Sequence, residues 1–141
     1  MSERKIKVAI TIDDNGGMMF NKRRQSRDRL LIKDLCEKTK TFIYISPYSA
    51  LLFEDFKDKT IVVDSPLLNC PDGECAFVEG LHLKDHIDAI DELIVYSWNK
   101  VYPSDVKLDI DIKDSGFKMV SKYDFTGNSH EKITKGIYRK T

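Results

Sequence analysis

No apolar run in this sequence approaches the roughly 20 residues that a membrane-spanning helix needs. The charged start of the chain, Met-Ser-Glu-Arg-Lys, also lacks the apolar core of a signal peptide. Cysteine is scarce and odd in number, with 3 residues in a chain of 141, which argues against a disulfide framework. We therefore expect a cytoplasmic protein that does not bind a membrane.

The chain also has no excess of positively or negatively charged residues. The 23 basic residues balance the 23 acidic residues, so the whole molecule has no field that would attract nucleic acid. The sequence contains no Walker-type loop, no dinucleotide fingerprint and no nucleophile motif. We therefore expect no bound cofactor. Binding of nucleic acid stays a minor alternative that only a local basic patch would support.

The chain is long enough for one complete core and too short for two ordinary domains, so we predict a single α/β domain over 1–141. Apolar, β-branched runs predict strands at 6–12, 41–45, 60–63 and 92–97. Helical spacing predicts helices at about 22–38, after Ser46-Pro47 and at 82–90. On the second helix the predicted apolar face comprises Tyr48, Leu51, Leu52 and Phe56.

The last third of the chain is rich in strand patterns. Residues 107–112 alternate apolar and polar side chains and predict a half-exposed strand, and 117–125 with 133–139 predict an antiparallel hairpin. Residues 64–80 contain two prolines and a Pro-Asp-Gly turn, so we predict a surface loop there and leave its order open. Strand–helix alternation before a β-rich end predicts a mixed β-sheet flanked by helices.

The main candidate site lies between Ile10 and Arg29, where a buried strand runs into a glycine turn and a basic stretch. α/β proteins present ligands at such points, and arginine binds phosphate or carboxylate through two parallel hydrogen bonds. The predicted anion clamp comprises Arg23, Arg24 and Arg27, with Gln25 and Ser26 orienting the ligand. The alternative is a solvated helix face whose arginines pair with Asp28 or Asp34.

Two further groups allow both a functional and a structural interpretation. His130, in the predicted hairpin turn, can form an acid–base pair with Glu131 or Asp13, or can simply belong to a polar turn. The second group is aromatic and either packs in the core or forms a stacking platform for a flat ring. It comprises Tyr96, Trp98 and Tyr102.

A metal site is a weaker candidate. His82 and His86 are four residues apart, which can place both imidazoles on one helix face for zinc, with Cys70 or Cys75 as a third ligand. The spacing of the cysteines is not a usual zinc-finger spacing, and two histidines on a short helix are more often surface residues. We therefore predict no metal.

Several short strings resemble dihydrofolate reductases. The first strand ends in Asn15-Gly16, Asp28 falls near the family's acidic residue, and Ser49 follows the second strand where the family receives a cofactor phosphate. Further similar strings are 59–65, 117–120, 128–130 and 137–140. The resemblance implies a dihydrofolate-reductase-like fold, with Asn15, Gly16 and Ser49 at a ligand cleft and Asp28 as its acid–base group.

The chain departs from that family where the cofactor binds. Lys22-Arg23-Arg24 replaces the family's Leu-Pro-Trp, and Tyr96-Ser97-Trp98 replaces the Gly-Gly that lets the cofactor phosphates approach. The helix that follows is reduced to about 99–105. These departures predict that NADPH does not bind in the family's way and that hydride transfer is not the activity.

The strings at 18–26, 98–103 and 127–132 (MMFNKRRQS, WNKVYP and GNSHEK) resemble those of small clostridial proteins labelled ribonuclease Z. His82 to His86 lacks the first histidine of that nuclease's metal motif, so we interpret the label as a false match. We predict a non-reductase protein that binds an anionic small molecule such as a nucleotide, as a sensor, regulator or sequestering protein. This prediction is compatible with a protein that forms homo-oligomers. We expect Trp98 to contact that ligand. One alternative is an enzyme, either a divergent reductase or a hydrolase, that uses Asp28 or His130 as its acid–base group. The other alternative is a nucleic-acid-binding protein.

Overall fold

The structure is a computed structural model that describes residues 4–141, so the first residues of the charged start lie outside the described part. Its strands are β1 (Ile6–Ile12), β2 (Gly17–Phe20), β3 (Arg23–Arg24), β4 (Ile43–Ile45), β5 (Thr60–Val62), β6 (Cys75–Phe77), β7 (Ile90–Ser97), β8 (Val106–Lys107), β9 (Phe117–Phe125) and β10 (Ile133–Lys140). Its helices are α1 (Arg29–Lys38), a 3-10 helix (Pro47–Lys59), α2 (Pro66–Asn69) and a second 3-10 helix (Lys84–Ala89).

Seven strands form the main sheet in the order β5-β4-β6-β1-β7-β10-β9. β1 is parallel to both of its neighbours, and β10 is antiparallel to β7 and to β9. Buried parallel strands need apolar side chains on both faces, which explains the continuous apolar sequence of β1. A smaller sheet has the order β3-β2-β8. The predicted mixed α/β sheet with a C-terminal antiparallel hairpin is therefore confirmed.

Alternate side chains of β1 separate the core into two layers, because successive residues of a strand point to opposite faces. Ala9 belongs to a cluster with α1, Phe53 and Phe77, in which the two phenylalanine rings meet edge to face at 5.2 Å. Val8 and Ile10 belong to a second cluster that includes side chains of α2, β7 and β9. The small side chain of Ala9 leaves room for α1 on the first face.

The predicted helix at 22–38 begins later than expected. Residues before 29 form β2 and β3, and the turn between them places Asn21 and Lys22 at φ 53° and 63°. Asp28 is the N-cap of α1, since its carboxylate accepts the N–H groups of Leu30 and Leu31. The basic residues from Lys22 to Arg27 therefore lie on a hairpin and its linker, and Arg29 is the first residue of α1.

The predicted surface loop at 64–80 is wrong in its central part. β6 pairs with β1 on one side and with β4 on the other, and all three of its residues are buried. Pro66 occupies the first turn of α2 and is itself buried. The Pro-Asp-Gly sequence does form a turn, but the chain after it enters the middle of the sheet.

Two other expectations need correction. Of residues 107–112 only Lys107, the second residue of β8, lies in a strand, although Leu108 and Ile110 do pack against the second core cluster as the alternation suggests. In the first 3-10 helix Ser46 caps the N-terminus as predicted, but Phe53 is buried while Leu51 is exposed. A 3-10 helix has about three residues per turn, so its buried face differs from an α-helical one. Within residues 4–141 no helix is long and apolar enough to cross a membrane.

Candidate functional site

The carboxylate of Asp28 joins the start of α1 to the turn between β9 and β10. Its Oδ1 accepts the backbone N–H of Leu30 at 3.0 Å and that of Asn128 at 2.7 Å. Its Oδ2 accepts the N–H of Ser129 at 2.9 Å and lies 2.9 Å from Nδ1 of His130. One side chain therefore connects two segments that are about a hundred residues apart in sequence.

Asp28 and His130 are buried, with 3% and 5% of their surfaces exposed. Burial by itself would raise the pKa of Asp28, but the N–H groups of Asn128 and Ser129, together with His130, hold that pKa below its usual value. Asp28 is then an ionised carboxylate that only accepts hydrogen bonds. We assign a proton to Nδ1 of His130 from this partner, which makes Nε2 of the neutral ring an acceptor.

The other ring nitrogen of His130 faces two hydroxyl groups. Oγ of Ser26 lies 2.9 Å from Nε2, and the hydroxyl of Tyr102 lies 3.2 Å from it. The indole of Trp98 stacks on the imidazole, with ring centroids 4.5 Å apart and an interplanar angle of 26°. Ser26, His130 and Asp28 thus form a continuous line of contacts from hydroxyl to imidazole to carboxylate.

The acid–base partner that the sequence suggested for His130 is corrected by this geometry. Glu131 is exposed, and no contact joins it to His130 in the described part of the chain. Asp13 is buried elsewhere, where it accepts the N–H groups of Asn15, Gly17 and Tyr102. Those N–H groups outweigh burial, which alone would raise the pKa, and hold the pKa of Asp13 below its usual value. Asp13 therefore stabilises the turn after β1.

The basic residues of the predicted clamp line one open cavity of about 490 Å³, which we call the arginine cavity. Its wall comprises Arg23, Arg24, Ser26, Arg27 and Tyr48. The side chains of Arg23 and Arg27 are exposed, and within residues 4–141 neither of them forms a salt bridge. Arg23 and Arg27 therefore line the same cavity as Ser26, and neither arginine forms a salt bridge with another described residue.

Arg24 has a different environment from the other two arginines. Its Nε lies 2.7 Å from Oε2 of Glu79 and its Nη2 lies 3.0 Å from Oε1, while the guanidinium stacks 4.4 Å from the centre of the Tyr48 ring. The hydrogen bond with Glu79 raises the pKa of Arg24 against the effect of burial. Ser49 donates to the same Glu79 at 2.7 Å. Arg24 is thus neutralised, and Ser49 supports its partner.

The remaining predicted ligand residues lie outside the wall of the arginine cavity. Gln25 donates from Nε2 to Asp13, and its Oε1 is buried without a partner in the described residues. Asn15 and Gly16 form the turn after β1, where Gly16 has a φ of 74° that favours glycine. Trp98 is only 2% exposed, so it does not offer an open stacking platform.

A second cleft of about 410 Å³ lies between α1 and the first 3-10 helix. It shares Arg27 with the arginine cavity, and it contains acidic side chains as well as basic ones. Its other wall residues are Asp28, Arg29, Ile32, Leu51, Leu52, Glu54, Asp55, Asn128 and Ser129. The mixture of charges makes it a poorer site for an anion than the arginine cavity.

The histidines of the suggested zinc site are not surrounded by further ligands. The side chain of His82 is 73% exposed and its Nδ1 lies 3.7 Å from Asp109. In the part of the chain that the structure describes, no three metal-binding side chains come together. Cys70 and Cys75 are buried thiols whose pKa values burial raises to about 12. We therefore make no proposal for a metal here.

Comparison with known proteins identifies the fold. No protein-family model matches the chain, and neither does any curated protein. Among solved structures, a dihydrofolate reductase from Enterococcus faecalis, complexed with NADP(H) and RAB-propyl, is similar with a TM-score of 0.67. The match covers 97% of this chain and 96% of that one at 12% identity. The chain has a dihydrofolate-reductase-like fold. At this identity the likeness concerns the fold and not the activity.

Proposed function

We propose that the protein binds an anionic small molecule, with a phosphate or carboxylate group, in the arginine cavity. The observation that carries the proposal is that Arg23 and Arg27, which form no salt bridge within residues 4–141, line this cavity together with Ser26. Guanidinium groups bind phosphate or carboxylate through two parallel hydrogen bonds. The volume of about 490 Å³ is in the usual range for a small-molecule site and has room for a nucleotide.

The paired arginine supports the same site in another way. Arg24 is fixed by Glu79 and by the ring of Tyr48, so the ion pair of Arg24 with Glu79 forms a rigid part of the wall that has no net charge. Arg23 and Arg27 then supply the attraction for the ligand. This division of roles differs from a clamp of three equivalent arginines, and it predicts that Arg24 affects the shape of the site more than its charge.

Binding without a nicotinamide cofactor is supported by the end of β7. Tyr96 is fully buried and Trp98 nearly so, and both pack in the core cluster that contains α1. The sequence resemblance implies that these large side chains replace the family's glycines. A sensor, a regulator or a sequestering protein needs only the binding step, and the arginine cavity provides the groups for that step.

The test is titration calorimetry of the purified protein with inorganic phosphate, nucleoside mono-, di- and triphosphates, and NADPH. Arg23→Gln combined with Arg27→Gln should weaken binding of the phosphorylated ligand by about 100-fold or more, because each charge-assisted contact is worth about 1.5–3 kcal/mol. Arg29→Gln is the matched control, since Arg29 is an exposed neighbour that does not line the arginine cavity. An equal loss of affinity in the Arg29→Gln control, or no binding of any phosphorylated ligand to the wild-type protein, would contradict the proposal.

A further inference from the structure

We propose that Ser26 is a nucleophile activated by His130 and Asp28, and that the protein hydrolyses carboxylic esters that carry an additional anionic group. The substrate class rests on the proposed function, because the arginine cavity would hold the anionic group. The nucleophile itself rests on an independent observation, the line of contacts from Ser26 through His130 to Asp28.

The distances are those of an activated hydroxyl. Oγ of Ser26 is 2.9 Å from Nε2 of His130, and Nδ1 of the same ring is 2.9 Å from Oδ2 of Asp28. Asp28 keeps the proton on Nδ1, so the lone pair of Nε2 is directed to Ser26. Hydroxyl, base and orienting carboxylate within hydrogen-bond reach define a nucleophilic site by geometry and not by order in the sequence.

The position of Ser26 distinguishes it from a hydroxyl group whose only role is to form a hydrogen bond with a buried histidine. His130 is buried under Trp98, whereas Ser26 is partly exposed and lines the arginine cavity. A ligand in that cavity therefore lies beside Ser26, and Nε2 of His130 lies 2.9 Å from Oγ of the same residue. The acidic group that orients the ring is likewise removed from solvent, with 0% of the Asp28 side chain exposed.

Tyr102 completes the environment of the base. Its hydroxyl lies 3.2 Å from Nε2, farther than the 2.9 Å of Oγ of Ser26, so Ser26 is the nearer of the two hydroxyls that face this nitrogen. When Nε2 takes the proton of Ser26, the hydroxyl oxygen of Tyr102 can accept a hydrogen bond from it. The positive charge on the imidazolium is then balanced by Asp28. The ring is fixed on both edges and on one face, so it needs little rearrangement during proton transfer.

The reaction balances with water as the co-reactant. Oγ of Ser26 attacks the ester carbonyl carbon while its proton passes to Nε2 of His130. The carbon–oxygen bond to the alcohol then breaks, and the proton on Nε2 passes to the departing oxygen, which leaves an acyl group on Ser26. Water attacks this acyl group, gives one proton to Nε2, and releases the acid while Oγ recovers that proton. Ester and water become acid and alcohol.

The first test uses mono-p-nitrophenyl succinate, which carries a free carboxylate, and p-nitrophenyl acetate, which is neutral. We expect a burst of one equivalent of nitrophenol, followed by turnover at least about 100-fold above the buffer rate, since positioned acid–base groups contribute about 10²–10⁴-fold. The anionic ester should be hydrolysed faster than the neutral one. Ser26→Ala should remove the burst, whereas Ser121→Ala, at an exposed serine on β9, should retain it.

The second test does not depend on a variant. The wild-type protein is treated with a fluorophosphonate, digested and analysed by mass spectrometry, and the adduct should lie on Ser26. No adduct on Ser26 together with no burst overturns the proposal, even if calorimetry still detects phosphate binding by Arg23 and Arg27. An adduct and burst without preference for the anionic ester leave the nucleophile standing and contradict the proposed function instead.

Discussion

Replacing Asp28 with asparagine tests the central contact of the site, because asparagine keeps the shape and removes the charge. The Oδ1 position can still accept the N–H groups of Leu30 and Asn128, so the helix cap is retained. The Oδ2 position becomes an NH₂ group that faces the N–H of Ser129, which is 2.9 Å from that atom in the wild type. Two donors then meet in a buried place.

The expected cost follows from these contacts. A hydrogen bond to a charged group is worth about 1.5–3 kcal/mol, and a buried donor without a partner costs about 1–3 kcal/mol. His130 can recover part of its contact by accepting from the new amide through the other tautomer. The N–H of Ser129 cannot recover its hydrogen bond in this way. We therefore expect Asp28→Asn to reduce the free energy of unfolding by about 2–4 kcal/mol.

Urea unfolding followed by tryptophan fluorescence measures this change directly, because the single tryptophan, Trp98, stacks on His130. The midpoint should fall while the m-value stays unchanged. Asp55→Asn is the matched control, since Asp55 is exposed and lines the neighbouring cleft, and its effect should stay within about 0.5 kcal/mol. If Asp28→Asn also stays within about 0.5 kcal/mol, the bonds to the hairpin turn do not stabilise the fold.

Two further changes should act on the same region. The folded protein holds the pKa values of Asp13 and Asp28 below those of the unfolded chain, so the unfolded state binds more protons as pH falls. Stability should therefore decrease below about pH 4, and thermal unfolding between pH 3 and 6 should show a shallower decrease for Asp28→Asn. Gly127→Ala should destabilise the fold by about 1–3 kcal/mol in urea, because the added Cβ would overlap Oδ2 of Asp28, and an unchanged midpoint would show that the turn can shift.

Much of the sheet could be predicted from the sequence because its strands are long and strongly patterned. β1 is a nearly continuous apolar run, β7 contains the apolar run from Leu93 to Tyr96, and β9 and β10 are joined by a short polar turn. β6 was missed since it has three residues and follows a proline–glycine turn. Its burial results from pairing with β1 and β4, which are distant in sequence, and no local pattern records such pairing.

The components of the site could be predicted one by one, but their arrangement could not. Asp28 was a candidate by resemblance and His130 by its place in the turn, yet their contact spans 102 residues. The neutralisation of Arg24 could not be seen either, because its partner Glu79 lies at the end of the segment that was predicted to be a loop. The start of α1 was misplaced because the basic residues and Ser26 are compatible with helix until the cap at Asp28 is considered.

Asp28 has two roles at once, since it holds α1 to the hairpin turn and also orients His130. Loss of activity in Asp28→Asn would therefore not separate chemistry from folding. Ser26→Ala does separate them, because it leaves every hydrogen bond of Asp28 in place and removes only the contact to Nε2. We expect that variant to lose about 0.5–1.5 kcal/mol of stability, the worth of one ordinary hydrogen bond. If Ser26→Ala loses no more stability than this and also loses the nitrophenol burst, the burst is assigned to Oγ of Ser26.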